Sequence, residues 1–422
     1  MAKENAHLSD LGNEMNQLSG VRQINRDIEE VLRAGKGKKI YDFGAGNPAI
    51  IPKVLAEVRK TARKVVDSDE FGAVFCRYGS TGGYAPFMQE FGRHLKKHTG
   101  LKANEENIIV TPGSQMVYYY AANALAGKAK GKRKKILFPL VPEYTGYMHL
   151  GVGDKALVGI RPKITVTGKH EFKYNVHFEH LNLDGVGLII FSRPSNPSGN
   201  VLHDSEVREI VKQAGKKKIP VIIDCAYAPP VPNVCYAPMK YISAPNVITT
   251  FSFSKAGLAA ARVGVAVGAK ELIEPLKAFQ ANVCLFPPIF GQEVARRMLA
   301  NGSMVRLCKG AVKKHYHGKQ KVFRSACSKY IDGTIPYFLH KSEGTFFAWV
   351  WFKGLPCSDW QLFERLKEAG VIVVPGSPFF PGTGKGWKHA RECVRFSLIM
   401  EDKEITEGVR LMAEVVNKLY KK

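Results

Sequence analysis

The period of the apolar positions changes along this chain, and the changes mark out its elements. Between about residues 105 and 270, short continuous apolar runs rich in β-branched residues alternate with stretches of helical period. Residues 108–110, 135–138, 188–191, 221–223, 247–250 and 264–268 predict buried strands, and 116–126 and 205–214 predict helices between them. Strands alternating with helices give an α/β domain, with a mostly parallel sheet covered by helices on both faces.

Beyond residue 300 the pattern differs. A basic amphipathic stretch comes first, followed by predicted strands at 344–352, 371–374 and 393–398 and a helix over 360–369. Ser358, with Gln361 three residues later, fits a capping box for that helix, and Gly370 supplies its stop. The expected organisation is a large domain over 51–300 and a smaller α/β domain over 301–422, with the N-terminal segment 1–50 packing against the small one.

Composition narrows the classes. The 422 residues are 45% hydrophobic, enough to bury a large core. The longest unbroken apolar run, 346–352, is far short of the ~20 residues a spanning helix needs, and the first twenty residues show no continuous apolar core of a secretory signal. A cytoplasmic protein without a membrane partner is the expectation. Eight cysteines are scattered with no paired or metal-ligand spacing, so they read as reduced, with Cys225 and Cys235 as small buried hydrophobes and no metal expected. Lys and Arg exceed Asp and Glu by 62 to 37, a formal charge of +25, which raises nucleic-acid binding as a possibility. No nucleic-acid-binding motif accompanies it, and the densest run, 128–135, reads as a solvated loop, so no nucleic-acid partner is expected.

The candidate chemistry lies at strand ends. Lys255 closes Phe251-Ser252-Phe253-Ser254-Lys255 among small and apolar neighbours, where desolvation favours the neutral amine needed for Schiff-base chemistry. A lysine at a strand end is ordinarily a surface residue. Asp224 ends the run Val221-Ile222-Ile223 and precedes Tyr227 by three; a buried carboxylate there calls for a cation such as a ring N–H⁺, although capping a following helix is equally open. Asn196 sits in the turn Ser192-Arg193-Pro194-Ser195-Asn196-Pro197-Ser198-Gly199 after another strand, the end of an α/β sheet where ligands gather. Thr111-Pro112-Gly113-Ser114-Gln115 opens a helix whose N-terminal amides suit an anion, and Ser252, Ser254 and Arg262 would add donors from another strand.

Taken in order, Gly46-Asn47-Pro48, Tyr78, Gly113-Ser114-Gln115, Tyr144, Asn196-Pro197, Asp224 with Tyr227, Ser252 with Ser254-Lys255, Arg262 and Arg395 resemble the anchors of the fold-type I, class I/II aminotransferase superfamily. The resemblance implies a large domain that binds pyridoxal 5'-phosphate (PLP), a homodimer with shared active sites, and amino acids and 2-oxo acids as substrates. It also implies roles. Lys255 would carry the cofactor covalently and shuttle the proton, Asp224 would pair with the ring nitrogen, Asn196 and Tyr227 would bond the ring hydroxyl, and Tyr144 would stack on the ring. Ser114, Gln115, Ser252 and Arg262 would hold the phosphate, joined by Tyr78 from a second subunit. Gly46, Asn196 and Arg395 would face the substrate, Arg395 clasping its carboxylate.

Further stretches, among them Pro142-Glu143-Tyr144 with Gly146-Tyr147 and Val374-Pro375-Gly376 with Phe379-Phe380-Pro381-Gly382, resemble the branch that exchanges an amino group between valine and pyruvate. Arg262 follows Lys255 by seven positions where many members have eight. Leu285-Phe286-Pro287-Pro288 is unusual for a substrate-side loop; with Ile50 and Ile51 it offers apolar candidates for a branched side chain. An aminotransferase of another aliphatic or aromatic amino acid, a PLP-dependent β-lyase and a nucleic-acid-binding regulator on the same scaffold are the alternatives.

Overall fold

The computed structural model describes residues 7–16, 26, 39–153, 156–384 and 386–421. Its centre is an eight-stranded sheet. In chain order the strands that matter here are β1 (Tyr41–Asp42), β2 (Ile108–Pro112), β3 (Gly127–Ala129), β4 (Lys132–Phe138), β5 (Leu157–Gly159), β6 (Lys163–Gly168), β7 (Glu171–Asn175), β8 (Val186–Ser192), β9 (Val221–Asp224), β10 (Val247–Ser252) and β11 (Val263–Val267). The central sheet runs β2-β11-β10-β9-β8-β4-β3, with β5 also on β4. From β10 through β9, β8 and β4 to β5 the pairing is parallel, while β11 runs antiparallel to both its neighbours. Every residue of β8, β9, β10 and β11 is buried, which explains why these strands read as unbroken apolar runs. Helices such as Gln115–Leu125 and Asp204–Lys216 cover the faces, bringing the carboxyl ends of β8, β9 and β10 together at one edge.

The second sheet is assembled from distant parts of the chain. It comprises β12 (Tyr337–His340), β13 (Phe347–Phe352), β15 (Val374–Pro375) and β16 (Cys393–Ser397), extended by β7 and β6 in the order β15-β16-β13-β12-β7-β6. Residues 163–175, expected within the large domain, therefore hydrogen-bond into the C-terminal sheet, with Leu339 opposite Glu171. The boundary drawn at residue 300 does not follow the hydrogen bonding, because a β6–β7 hairpin alone cannot bury its apolar face and finds a partner edge on β12. The run 371–374 serves two sheets: β14 (Val371–Ile372) pairs in parallel with β1, and β15 pairs with β16. Through β1 the N-terminal segment joins the C-terminal part.

The helix expected at 360–369 spans Asp359–Glu368. Its capping box is formed, with Gln361 N–H donating to Ser358 Oγ at 3.2 Å and Ser358 N–H to Gln361 Oε1 at 2.9 Å, and Gly370 turns left-handed at φ 81°. The basic run 128–135 is a correction: it is a β-hairpin, with Lys128 opposite Arg133 and Lys130-Gly131 at the turn with φ 47° and 75°. Two left-handed turn residues fit the right-handed twist of a tight hairpin, so the lysines extend into solvent from a strand instead of a loop. Cys225 and Cys235 are buried, and the cysteines are free. Among the described residues no helix is long and apolar enough to cross a membrane, and no His, Cys, Asp and Glu cluster has metal-binding form.

Candidate active site

A cavity of about 220 Å³ opens at the carboxyl ends of β8, β9 and β10. Its lining brings together Gly46, Ser114, Gln115, Tyr144, Asn196, Asp224, Tyr227, Ser252, Lys255, Arg262 and Arg395, eleven residues drawn from seven separate segments. Tyr78 does not join them; it is 86% exposed and stacks on Phe286 with ring centroids 5.2 Å apart. Ile50, Ile51 and Leu285-Phe286 also lie outside this cavity, and Leu285 faces solvent.

Asp224 ends β9 with both faces of the strand covered. Tyr147 Oη donates to its Oδ2 at 2.6 Å, and the Ala226 N–H donates to Oδ1 at 2.9 Å. Burial pushes its carboxyl above the usual range, and these hydrogen bonds pull it back. Among the described residues no helix lies between β9 and β10, so the helix-cap alternative gives way to a buried carboxylate facing a cavity, and no cation among those residues pairs with it.

Lys255 lies in a short 3₁₀ turn, Ser254–Ala256, closed by left-handed Gly257 at φ 98°. A Cβ on Gly257 would stand 2.5 Å from Val54 Cγ1, so only glycine lets the turn pack. The Lys255 amine reaches across the cavity and donates to the Gly46 carbonyl at 3.0 Å. Burial first, then the nearby Arg395 and Arg262 charges, lower its pKa to about 8, with Asp224 opposing. An amine so placed is neutral in a far larger share of molecules near physiological pH than an ordinary lysine, and the neutral form is the nucleophile.

The opposite end is built for an anion. The helix Gln115–Leu125 begins at Ser114 without a side-chain cap. Ser114 Oγ is held by the Phe251 carbonyl at 2.9 Å, which ties this helix start to β10. Arg262 lies across Gly113, where a Cβ would stand 2.1 Å from Arg262 Nη2, so the glycine leaves room for the guanidinium. Ser252 and Ser254 complete that wall.

Arg395, on β16, is buried. Its Nη2 donates to the Gly44 carbonyl at 2.9 Å and its Nη1 to Asn196 Oδ1 at 3.1 Å, while Nε has no partner. The guanidinium lies 4.3 Å from the Phe347 ring centroid. Among the described residues no carboxylate pairs with it, and burial lowers its pKa to about 10.

Sequence reasoning missed Tyr147, Tyr118, Thr145, Ser192 and Phe347. Tyr147 was quoted only as part of a motif, and Phe347 only as part of a strand; their proximity to Asp224 and Arg395 arises from tertiary packing.

A buried carboxylate, a poised lysine, an uncapped helix start with an arginine, and an unpaired second arginine share one cavity. Residues 38–411 match the family described as aminotransferase class I and II, and the chain belongs to that family, which makes it an aminotransferase. It is 32% identical over 411 residues to the valine–pyruvate aminotransferase of Escherichia coli (strain K12), covering 97% of this chain and 98% of that one. The crystal structure of valine–pyruvate aminotransferase from Salmonella typhimurium LT2 superposes with a TM-score of 0.86 at 32% identity, over 94% of this chain and all of the other. An aspartate aminotransferase of Sulfolobus acidocaldarius is more distant, at 24% identity over 94% of each chain.

Proposed function

We propose that the chain uses pyridoxal phosphate to exchange an amino group between valine, or a similar aliphatic amino acid, and pyruvate. The residues fit that cofactor. Asp224 lacks a cation that a pyridinium would supply, and the Ser114–Gln115 helix start, Ser252 and Arg262 form a cradle for a phosphate. Asn196 and Tyr227 stand where a ring hydroxyl could be bonded, and Tyr144 supplies an aromatic face. When bound, the cofactor supplies a carbonyl that captures amines and a ring that accepts electrons from Cα.

Around it, the chain's own residues divide the work. Arg395 binds the substrate carboxylate and thereby orients the Cα–H bond toward Lys255 Nζ. Lys255 Nζ, as the neutral amine, would take the proton from the substrate Cα and hold it for return, chemistry that the cofactor's electron-accepting ring would permit. Asp224, whose charge the Tyr147 and Ala226 hydrogen bonds favour against burial, would hold the ring nitrogen's proton.

The observation carrying substrate choice is the count of cations. Among the described residues lining the cavity, Lys255, Arg262 and Arg395 are the cationic side chains; the first two serve the cofactor, leaving one guanidinium for one carboxylate. A distal carboxylate would be buried unpaired. Exposed Tyr78, stacked on half-buried Phe286 outside its own cavity, supports a homodimer in which Tyr78 reaches a neighbouring site. Nitrogen-15 valine incubated with pyruvate should yield labelled alanine with no net ammonia; release of labelled ammonia with accumulation of 2-oxo acid would reject transfer in favour of elimination or deamination.

A further inference from the structure

Glu143 is fully buried, and nothing in the chemistry above uses it. It leaves the loop after β4, immediately before Tyr144, and its carboxyl group bridges to the end of β8. Oε1 accepts the Ser192 N–H at 2.8 Å, Oε2 lies in a very short contact with Ser192 Oγ, and Oε2 also accepts the Tyr144 N–H at 3.3 Å. The Glu143 N–H is fixed by the Phe379 carbonyl at 2.8 Å. Among the described residues it forms no ion pair. Ser192 is buried, lines the cavity, and lies directly opposite Asp224 in the register of β8 with β9. The titratable groups facing Glu143 are Asp224 and Tyr147, and neither brings a positive charge.

We infer that Glu143 is a positioning residue held as the neutral acid: its O–H donates to Ser192 Oγ, which frees the serine hydrogen to point into the cavity beside Asp224. A second charge in this water-poor region would be opposed both by burial and by the Asp224 carboxylate across Ser192, and the cofactor requires the charge on Asp224. Desolvation and the Asp224 charge both push the Glu143 carboxyl upward, and the Ser192 and Tyr144 hydrogen bonds only partly oppose them. Ionised, Glu143 would take the serine hydrogen for itself and leave a lone-pair face toward the cavity. Neutral, it turns the same serine into a donor. The charge on Asp224 rests on the proposed cofactor chemistry, whereas the hydrogen-bond geometry does not.

Three readings of Glu143→Gln and Glu143→Ala test this. The infrared difference between wild type and Glu143→Gln at neutral pH should contain the carbonyl band of a protonated carboxylic acid; a carboxylate pair instead would overturn the inference. The melting-temperature gain of Glu143→Gln over wild type should grow as pH rises above about 4.5, the usual carboxyl range, because the unfolded wild type then ionises this group while the folded state does not. A gain that shrinks with rising pH would mean a charged Glu143. Glu143→Ala should lose roughly ten-fold in kcat, and Glu143→Gln, whose amide N–H donates as the acid does, should recover most of it; equal losses in the two variants would contradict the positioning role. The first two readings need no substrate, so failure of the aminotransfer proposal and failure of this one can be told apart.

Discussion

The two walls of the cavity are prepared differently. On the wall supplied by the central sheet, Asp224 is already bonded to Tyr147 and Ala226, and Ser114 to the Phe251 carbonyl, so the groups that would face a resident cofactor are fixed before it arrives. The wall supplied by β16 and the N-terminal segment keeps a donor in reserve: Arg395 is steadied by Asn196, Gly44 and Phe347, yet its Nε is free and no carboxylate neutralises it. A group that stays through many turnovers is best met by a finished site, whereas a substrate that enters and leaves must find an unsatisfied partner. The contrast separates residues whose loss stops the chemistry from residues whose loss weakens capture.

The most severe break falls between the walls. Lys255→Ala should remove turnover, by at least roughly 10²–10⁴-fold, and abolish the visible colour of the PLP-loaded protein; parental rates in that variant would refute the assignment. On the cofactor wall, Asp224→Ala should lower kcat by about 10²–10³-fold while PLP remains bound through its phosphate, which equilibrium dialysis beside steady-state rates would show. Arg395→Ala should cost roughly 2–5 kcal/mol in kcat/KM for amino acids, at least about thirty-fold, and much less for amines without a carboxylate. Equal losses for both would move Arg395 to the cofactor wall.

Smaller effects sharpen the picture. Tyr147→Phe removes one donor to a charged carboxylate and should slow the reaction about ten-fold, with little change in KM. pH gives a further check: the Lys255 amine has a folded pKa lowered to about 8, and its neutral form is the nucleophile. Recombination of cofactor-free protein with PLP should therefore accelerate as pH rises through about 8 and level above it. A midpoint near the ordinary lysine value of about 10.4 would show that the amine is not desolvated.

The same two walls differ in how far the sequence revealed them. β8, β9 and β10 are covered on both faces, so their apolar runs stand out locally, and Asn196, Asp224 and Lys255 sit at or just beyond the strand ends where ligands collect. The second sheet depends on pairings such as Leu339 with Glu171, which no local pattern encodes, and so the membership of 163–175 was not visible. Tyr147 reads as one more aromatic in a motif until folding brings Asp224, seventy-seven residues later, to its hydroxyl. Arg395 could be placed by resemblance, but its free Nε and its seat on Phe347 are properties of packing.

The central claim is that one free guanidinium selects substrates with one carboxylate. The direct test is the single half-reaction of the PLP-loaded protein with individual amino acids, each followed by loss of the visible band in the absence of any oxo acid. Valine and other small aliphatic amino acids should convert the protein at least about ten-fold more efficiently than aspartate or glutamate, as expected when a second carboxylate would be buried unpaired. A half-reaction with aspartate or glutamate as fast as, or faster than, that with valine would contradict the account.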